Sequence, residues 1–428
     1  MNILVLGSGG REHAIVRKLK ESPKTDKLYC APGNGGISKD AECAPISVTD
    51  KAAVLAFAKA NAIDLVFIAP EDPLAEGMAD FLEENGVAAF GPSEKAAIIE
   101  SSKAFSKDLM KKYNIPTAGY EIFDDPEKAM DYIKAQGKYP VVVKADGLAV
   151  GKGAIIAENE AEAKDALHVL MEEKIFGSSG DHVVIEEFLT GPEVTVLSFT
   201  DGETVCPMVS SMDHKRVGDG DTGPNTGGMG TISPNPFYTD EVAAQCMEKI
   251  FLPTVRAMKA EGRPFKGCLY FGLMLTPEGP KVIEYNCRFG DPETQVVLPR
   301  LDTDLVDIIE AVRAGTLKDL PIRWKPQQSA CVVLASGGYP GSYPKGIEIT
   351  GLDENGQADG VTVYHAGTAV KDGKFVTAGG RVLGVTALGD SLQEALNKAY
   401  AAAEKIHFDG MICRRDIGRR ALDVLENQ

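Results

Sequence analysis

An apolar strand and three polar residues at alternating positions meet in the stretch Val282-Ile283-Glu284-Tyr285-Asn286-Cys287-Arg288-Phe289-Gly290-Asp291-Pro292-Glu293-Thr294-Gln295. Every second side chain of a strand points to the same face, so Glu284, Asn286 and Arg288 are predicted to project to one side. A carboxylate, an amide and a guanidinium together suit an oxygen-ligated metal ion beside an anion. The same pattern also fits a sheet strand whose polar residues face water, and other parts of the chain must decide between the two.

Length and composition predict a soluble protein of several domains. At 428 residues the chain is too long for one core, and its 44% apolar and 25% charged residues are typical of globular domains. A net charge of −17 disfavours nucleic acid and anionic membranes as partners. The eight cysteines form no CxxC pair, and no apolar run approaches the ~18 residues of a membrane span, so we expect reduced thiols in a cytoplasmic protein.

The amino terminus predicts a strand, a glycine turn and a helix. The apolar residues 2–6 run into Gly7-Ser8-Gly9-Gly10-Arg11-Glu12-His13-Ala14, where backbone N–H groups would form a nest suited to a phosphate. A GxGxxG fingerprint would need glycine at Glu12, which disfavours a nicotinamide or flavin dinucleotide. Tight strand–helix packing explains the glycines equally well, but Arg11, a cation at a helix start, favours a bound anion that offsets it.

Strand-like and helical runs then alternate, which predicts an open parallel sheet with helices on both faces. The predicted strands span residues 27–31, 63–69 and 87–90, and the predicted helices span 51–60 and 74–84. A further helix, capped by Ser93, is predicted to reach Tyr113. The following Asn114-Ile115-Pro116 suits a domain boundary.

A second unit carries a glycine-rich flap. Strands predicted at residues 140–144 and 154–157 flank Asp146-Gly147-Leu148-Ala149-Val150-Gly151-Lys152-Gly153. The backbone N–H groups of such a loop can fold over a polyphosphate, with positive charge from Lys144 and Lys152. The loop is not a Walker motif, because GxxxxGK[ST] is absent and no helix follows.

The next predicted strand ends in Glu186-Glu187-Phe188-Leu189. A strand end of this kind suits a hinge between two segments, where backbone groups can form hydrogen bonds with the edge of an adenine. The carboxylate of Glu193 could then accept hydrogen bonds from the ribose hydroxyls. Paired glutamates at a strand end are more often solvated, so this interpretation depends on its neighbours.

Together these motifs resemble the ATP-grasp superfamily. Five segments extend the resemblance over essentially the whole chain to the glycinamide ribonucleotide synthetases, the phosphoribosylamine–glycine ligases of purine biosynthesis. These segments are residues 7–14, 144–149, 213–216, 223–230 and 288–293. The implied fold is a multidomain α/β and α+β protein. Its domains are an open parallel-sheet phosphoribosyl-binding domain (1–115), a small ATP-grasp lobe with the flap (116–190), a large lobe with the metal and catalytic strand (191–326) and a small α+β cap (327–428).

The resemblance implies a ligation in two steps. ATP phosphorylates the carboxylate of glycine, and the amine of 5-phosphoribosylamine then attacks the glycyl phosphate. The products are glycinamide ribonucleotide, ADP and phosphate. The resemblance also implies ATP with Mg²⁺, or Mn²⁺, as cofactors and a monomer, and transient contact with the enzyme that supplies phosphoribosylamine is left open.

This chemistry needs cations that bring the γ-phosphoryl group in line with a bound carboxylate. The resemblance implies that Arg288, Lys144 and Asp213 are catalytic and that Glu284 and Asn286 hold the metal. The implied nucleotide-binding residues are Lys103, Lys144, Gly147, Lys152, Gly153, Glu186, Glu187, Phe188, Leu189 and Glu193. The implied substrate-binding residues are Gly9, Gly10, Arg11, Glu12, Asn225, Thr226, Gly227, Asp291 and Pro292.

The sequence departs from the superfamily at one position. Many ATP-grasp enzymes carry a second metal carboxylate on the strand before E-x-N, where this chain has Gly272. Since phosphates and waters can complete the Mg²⁺ shell, we expect a metal site with few protein ligands, and whether one or two ions bind stays open.

Residues 213–230 are predicted to form a long irregular loop over the glycine and amine sites. His214 within it is either a base or an exposed histidine without a role. Near the carboxyl terminus, the basic stretch Arg414-Arg415 either faces the active site or forms a surface salt bridge.

Two alternatives to glycine ligation remain. One is an ATP-grasp ligase for another carboxylate or for bicarbonate, and the other is a nucleotide-binding regulator without turnover. ADP release that requires both glycine and phosphoribosylamine would separate the three.

Overall fold

The computed structural model describes residues 1–148 and 153–427. Within these ranges no helix is long and apolar enough to cross a membrane. All eight cysteines are free thiols, and five of them are buried.

The amino-terminal region contains a five-stranded, fully parallel sheet, which confirms the predicted open α/β fold. Its strands are β1 (Asn2–Gly7), β2 (Lys27–Pro32), β3 (Glu42–Cys43), β4 (Leu65–Ile68) and β5 (Ala88–Phe90). They are ordered β3-β2-β1-β4-β5. The apolar side chains of the central strand β1 are fully buried, because helices cover both faces of the sheet.

Six helices accompany this sheet, and two of the predicted helices are each divided into two. The helices are α1 (Gly10–Lys20), α2 (Lys51–Ala60), α3 (Glu71–Ala75), α4 (Met78–Glu84), α5 (Glu94–Ser101) and α6 (Lys103–Lys112). The prediction of one helix over 74–84 is wrong, because Gly77 adopts a φ of 79° between α3 and α4. The predicted continuous helix after Ser93 is also wrong: Ser93 caps α5, and Ser102 caps a separate helix that starts at Lys103.

The small lobe is an antiparallel four-stranded sheet with two helices. Its elements are β6 (Tyr120–Phe123), α7 (Pro126–Gln136), β7 (Val141–Ala145), β8 (Ala154–Ala157), α8 (Glu160–Leu167) and β9 (Val183–Glu187). The sheet order is β6-β9-β7-β8, and the pairing of β7 with β8 confirms the predicted strands on either side of the flap.

The large lobe is built on a second antiparallel sheet. Its elements are β10 (Glu193–Asp201), β11 (Val205–Pro207), β12 (Met212–Asp213), β13 (Arg216–Gly218), β14 (Thr222–Asn225), β15 (Gly230–Ser233), α9 (Asp240–Cys246), α10 (Leu252–Ala260), β16 (Lys266–Thr276) and β17 (Gly279–Asn286). Strands β11, β10, β16 and β17 form the sheet in that order. The prediction of an irregular 213–230 segment is wrong, since β13 and β14 form a hairpin within it.

The carboxy-terminal strands share a sheet with strands of the 213–230 segment. The remaining elements are α11 (Thr294–Val297), α12 (Leu305–Ala314), β18 (Gln328–Ala335), β19 (Thr362–His365), β20 (Thr368–Lys371), β21 (Lys374–Thr377), β22 (Arg381–Gly389), α13 (Leu392–Ala403) and α14 (Arg419–Glu426). One sheet runs in the order β12-β15-β18-β22-β19. The boundary proposed at 326/327 therefore does not separate two sheets, and carboxy-terminal residues can reach the candidate site.

Candidate active site

The E-x-N motif lies at the end of β17, opposite Gly272. In the pairing with β16, Gly272 faces Glu284 and Tyr270 faces Asn286. A Cβ atom at position 272 would lie 3.0 Å from Glu284 Cγ. Glycine leaves the room that the Glu284 side chain occupies, which explains in packing terms why the strand carries no second carboxylate here.

Glu284 is an ionised carboxylate among lysines. Its side chain is 40% exposed, and Lys215 Nζ lies 3.8 Å from its Oε1. Desolvation acts to raise the pKa of Glu284, but Lys215, Lys144 and Lys103 outweigh it and lower the pKa. A charged carboxylate oxygen and the amide oxygen of Asn286 are hard donors that fit Mg²⁺. Within the described ranges no group of three or more His, Cys, Asp or Glu side chains could hold a metal ion.

Lys144 is held by a buried carboxylate that a second lysine also binds. Glu186 lies between Lys144 Nζ, at 3.0 Å, and Lys107 Nζ, at 3.1 Å. Burial would raise the pKa of Glu186, but the two lysines reverse the shift and lower it. Lys144 also donates to the carbonyl of Ile283, a residue of β17. No pattern in the sequence indicates that Lys107 binds Glu186, because a lysine within an amphipathic helix is usually solvated.

Lys103 joins the flap to α6. Its Nζ donates to the carbonyl of Gly147 at 2.8 Å, and its backbone N–H donates to the carbonyl of Asp146 at 2.9 Å. A Cβ atom at Gly147 would lie 2.3 Å from Ser179 Oγ, so only glycine fits there. At the other end of the flap, the carbonyl of Gly153 accepts from Ala145. Lys152 lies outside the described residues.

The predicted hinge begins at the exposed carboxyl end of β9, an inner strand of its sheet. Glu187 is exposed and exchanges two hydrogen bonds with Gly119, one through its backbone N–H and one through its carboxylate. Phe188 and Leu189 follow it half-buried. Glu193 is half-exposed and pairs with Lys215 Nζ at 3.2 Å. The carboxylate of Glu186 is buried and paired with Lys107 and Lys144. Of the two adjacent glutamates, only Glu187 is therefore exposed.

Arg288 lies two residues beyond the end of β17 and binds two carboxylates of the amino-terminal region. Its Nε donates to Glu71 at 2.9 Å, and its Nη2 lies 3.3 Å from Glu100. Burial opposes the charge on Glu71, but Arg288 and Arg11 lower its pKa to about 2. Burial raises the pKa of Glu100 despite the nearby Arg288. The guanidinium therefore connects the segment that follows β17 to the amino-terminal region.

The glycine nest of the amino terminus meets Asp291. The N–H of Gly9 donates to Glu12 at 2.7 Å, and the N–H of Arg11 donates to Asp291 Oδ2 at 3.4 Å. The Arg11 side chain pairs with Glu12 at 2.6 Å and with Glu71 at 3.7 Å. The anion that offsets Arg11 is thus internal, which removes the electrostatic argument for a bound phosphate. The predicted substrate residues of the nest and of the Asp291 motif nevertheless adjoin each other.

Two acids, the half-buried Asp213 and the buried Glu293, lie near this junction. Burial and the charge of Glu293 raise the pKa of Asp213 well above its usual value, and burial raises the pKa of Glu293. Glu293 Oε1 lies 3.1 Å from the Tyr270 hydroxyl. A Cβ atom at Gly228 would lie 2.6 Å from Asp213 Oδ1, so the chain approaches Asp213 closely. Thr226 is also buried nearby, whereas Asn225 is exposed at the end of β14.

His214 is buried, so the alternative of an exposed histidine without a role is wrong. Its Nε2 accepts a hydrogen bond from the N–H of Gly418 at 3.1 Å, which leaves Nδ1 to donate to the carbonyl of Gly230 at 3.1 Å. Burial and the charge of Arg414 lower its pKa to about 4. Both ring nitrogens are occupied, and the side chain fixes the 213–230 segment rather than serving as a base.

Arg414 is buried beneath the same segment, whereas the expected surface salt bridge of this stretch is found at the exposed Arg415, whose guanidinium lies 3.5 Å from Glu404. The Arg414 side chain is 2% exposed and lies 2.8 Å from both Asp416 and Asp221. It also donates to the carbonyl of Arg216 at 3.2 Å. Arg414 therefore anchors the β13–β14 hairpin to the carboxy-terminal region.

The two lobes, the flap and the lysines around Glu284 define an ATP-grasp fold. A biotin carboxylase domain of 2-oxoglutarate carboxylase from Hydrogenobacter thermophilus, solved with MgADP, has this architecture at 18% identity, with a TM-score of 0.72 over 96% of this chain and 91% of that chain. Family models for the N, ATP-grasp (A) and C domains of phosphoribosylglycinamide synthetase match residues 1–100, 101–294 and 329–420. The chain belongs to the phosphoribosylglycinamide synthetase family.

Individual relatives match over their full length. The phosphoribosylamine–glycine ligase of Caldanaerobacter subterraneus subsp. tengcongensis is 52% identical over 97% of this chain and 99% of the relative. That of Vibrio cholerae is 50% identical over 99% of both chains. The crystal structure of the phosphoribosylamine–glycine ligase from Thermotoga maritima is 37% identical, with a TM-score of 0.85 over 97% of this chain and 100% of that chain.

Proposed function

We propose that the protein uses ATP to join glycine to 5-phosphoribosylamine, giving glycinamide ribonucleotide, ADP and phosphate. The observation that carries this proposal is identity of about half the residues to phosphoribosylamine–glycine ligases over their full length. The positions of the charged groups support it. Lys103 binds the described start of the flap, and Lys103 and Lys144 are close enough to Glu284 to lower its pKa. Asp291 accepts a hydrogen bond from the Arg11 N–H of the amino-terminal nest.

In the first step an oxygen of the glycine carboxylate attacks the γ-phosphorus of ATP, and the bond to the β–γ bridging oxygen breaks. Lys103 and Lys144, with Lys152 of the flap, hold the phosphates in line for this attack. Glu284 and Asn286 would hold Mg²⁺, with Mn²⁺ as an alternative, and the ion neutralises phosphate charge when bound. Arg288, which is paired with Glu71 and Glu100, would supply further positive charge near Glu284.

In the second step the amine nitrogen attacks the carbonyl carbon of glycyl phosphate, and phosphate leaves as the amide forms. The nitrogen must lose one proton. Asp213 is the candidate acceptor, because its carboxyl group lies against Gly228 in the segment that borders the space proposed for the amine. His214 is unsuitable, since its nitrogens bind Gly230 and Gly418. The amine substrate would lie between Asp213 and the junction of Asp291 with the nest.

The adenine would lie at the hinge, near the backbone of Glu187, Phe188 and Leu189. The ribose hydroxyls would approach Glu193, whose carboxylate is half-exposed and pairs with Lys215 at 3.2 Å. On the amine side, Gly9, Gly10 and Asp291 surround the phosphoribosyl group, together with Asn225, Thr226 and Gly227 of the opposite segment. Pro292 packs against Gly228 and limits that space.

Isotope transfer tests this mechanism directly. Glycine labelled with ¹⁸O in the carboxylate should pass one labelled oxygen to inorganic phosphate, and ADP release should require both glycine and phosphoribosylamine. Asp213→Asn should retain nucleotide binding and lose most of the ligation. Equal turnover with bicarbonate or another carboxylate would support a different ligase, and nucleotide binding without turnover would support a regulator.

A further inference from the structure

We infer that Arg381 is a positioning residue for the amine substrate, acting from the carboxy-terminal region by fixing Gly227 against Asp291. This inference rests on the proposed function, because it concerns the site of the amine. Neither a motif nor a pattern in the sequence singles out Arg381, which is the first residue of β22.

One guanidinium nitrogen bridges two segments that are distant in sequence. Arg381 Nη1 donates to the carbonyl of Gly227 at 2.6 Å and to the carbonyl of Asp291 at 2.7 Å. Its Nη2 lies 3.6 Å from Asp291 Oδ2. Charge-assisted bonds of this kind are short and directional, so the distance between the two carbonyls is set by the arginine.

The contact with Gly227 depends on the absence of a side chain. A Cβ atom at position 227 would lie 2.9 Å from Arg381 Cζ. On its other side, the N–H of Gly227 donates to the Tyr339 hydroxyl at 2.9 Å. Both polar groups of the Gly227 backbone are therefore held by side chains of the carboxy-terminal region.

The same guanidinium acts on the amino-terminal nest through Asp291. The Asp291 carboxylate accepts from the Arg11 N–H and, at 2.8 Å, from Gln295 Nε2. Burial would raise the pKa of Asp291, but Arg381 and Arg11 lower it, so the carboxylate is ionised. Arg381 thus fixes one residue on each side of the space assigned to the amine.

Hydrogen bonds also fix the backbone at Arg381. The carbonyl of Arg381 accepts from the N–H of Gly367 at 2.9 Å, and the preceding carbonyl of Gly380 accepts from Ser336 at 2.7 Å. Since β22 lies in the sheet that also contains β15, the arginine and the 213–230 segment share one framework. Displacing this side chain should therefore disturb the amine site and leave the distant flap in place.

Steady-state kinetics of Arg381→Gln test the inference. The Michaelis constant for phosphoribosylamine should rise by about tenfold or more, because two charge-assisted hydrogen bonds are lost. The constants for ATP and glycine should stay within about twofold, since the polar contacts of Arg381 are with Gly227 and Asp291 rather than with Glu284, Asn286 or the described residues of the flap. Arg381→Lys should recover part of the loss, because an ammonium group keeps the charge but lacks the planar fork. Arg415→Gln is the matched control, because Arg415 is an exposed arginine of the same region, and it should behave as wild type.

Gly227→Ala tests the same contact without removing the charge, and it provides the test if Arg381→Gln does not fold. Its methyl group should displace the guanidinium and also raise the constant for phosphoribosylamine. The inference is overturned if that constant is unchanged in a folded Arg381 or Gly227 variant, or if all three constants rise together. Wild-type enzyme that does not ligate glycine to phosphoribosylamine would instead refute the proposed function itself.

Discussion

Replacing His214 with leucine should destabilise the protein but leave turnover largely intact. The N–H of Gly418 is buried and would lose its acceptor, whereas the carbonyl of Gly230 would keep a bond from the backbone N–H of residue 214 at 2.9 Å. One orphaned N–H plus one lost bond amounts to about 2–4 kcal/mol in the free energy of unfolding. His214→Gln should cost less, because its amide offers both a donor and an acceptor.

The free energy of unfolding should also depend on pH through His214. The pKa of His214 is lowered to about 4 from an ordinary 6.5, so the unfolded chain binds a proton before the folded chain does. Stability from this group is complete above pH 6.5 and is lost as the pH falls towards 4, by about 3 kcal/mol. Both variants should lack this part of the acid dependence.

Urea unfolding at pH 7 and pH 5, followed through the single tryptophan Trp324, measures both effects, and ADP release measures turnover. Comparison of each variant with the wild type removes the contributions of the other histidines. The reasoning would be refuted by variants of wild-type stability whose turnover number falls by about 100-fold or more, since that is the signature of a lost base.

Three further substitutions test the remaining assignments. Glu284→Gln should raise the Mg²⁺ concentration for half-maximal ligation by about tenfold or more, because no second carboxylate supports the ion; a mild shift in the Mg²⁺ titration would count against this site. Arg288→Ala should lower the turnover number far more than it weakens ATP binding. Unfolding is measured in parallel, because Glu71 and Glu100 lose their cation in this variant. An unchanged turnover number would remove Arg288 from the mechanism. Arg11→Ala should chiefly raise the Michaelis constant for phosphoribosylamine, because Glu12, which accepts the Gly9 N–H of the nest, would lose its ion pair; movement of the ATP constant alone would contradict the assignment of the nest.

Local patterns predicted those features that depend on neighbouring residues. The apolar run of β1 and its glycine turn correctly predicted the parallel sheet, and the E-x-N alternation correctly predicted a strand at Glu284. The breaks at Gly77 and Ser102 were missed because residues on both sides have ordinary helix propensity, and a left-handed glycine or a serine cap interrupts a helix only where packing requires it.

The partners of charged side chains could not be predicted in the same way. Arg288 binds Glu71 and Glu100, which lie far from it in sequence, and only the packing of the amino-terminal helices brings them together. His214 looked like an exposed loop residue because nothing near it in the sequence indicates Gly418 as its donor. Arg381 likewise gains its contacts only after two separate regions have entered one sheet.

The shared sheet also affects how the protein is made. Strand β15 pairs with β12 on one side and with β18 on the other, and β18 is translated much later than β15. Until Gln328–Ala335 has left the ribosome, β15 presents an open edge and the 213–230 segment has no fixed position. The site proposed for the amine is therefore assembled only near the end of synthesis, although β7, β8 and β17 have been translated before β18. A chain released early would carry the nucleotide-handling parts without the site that directs the activated glycine to its acceptor.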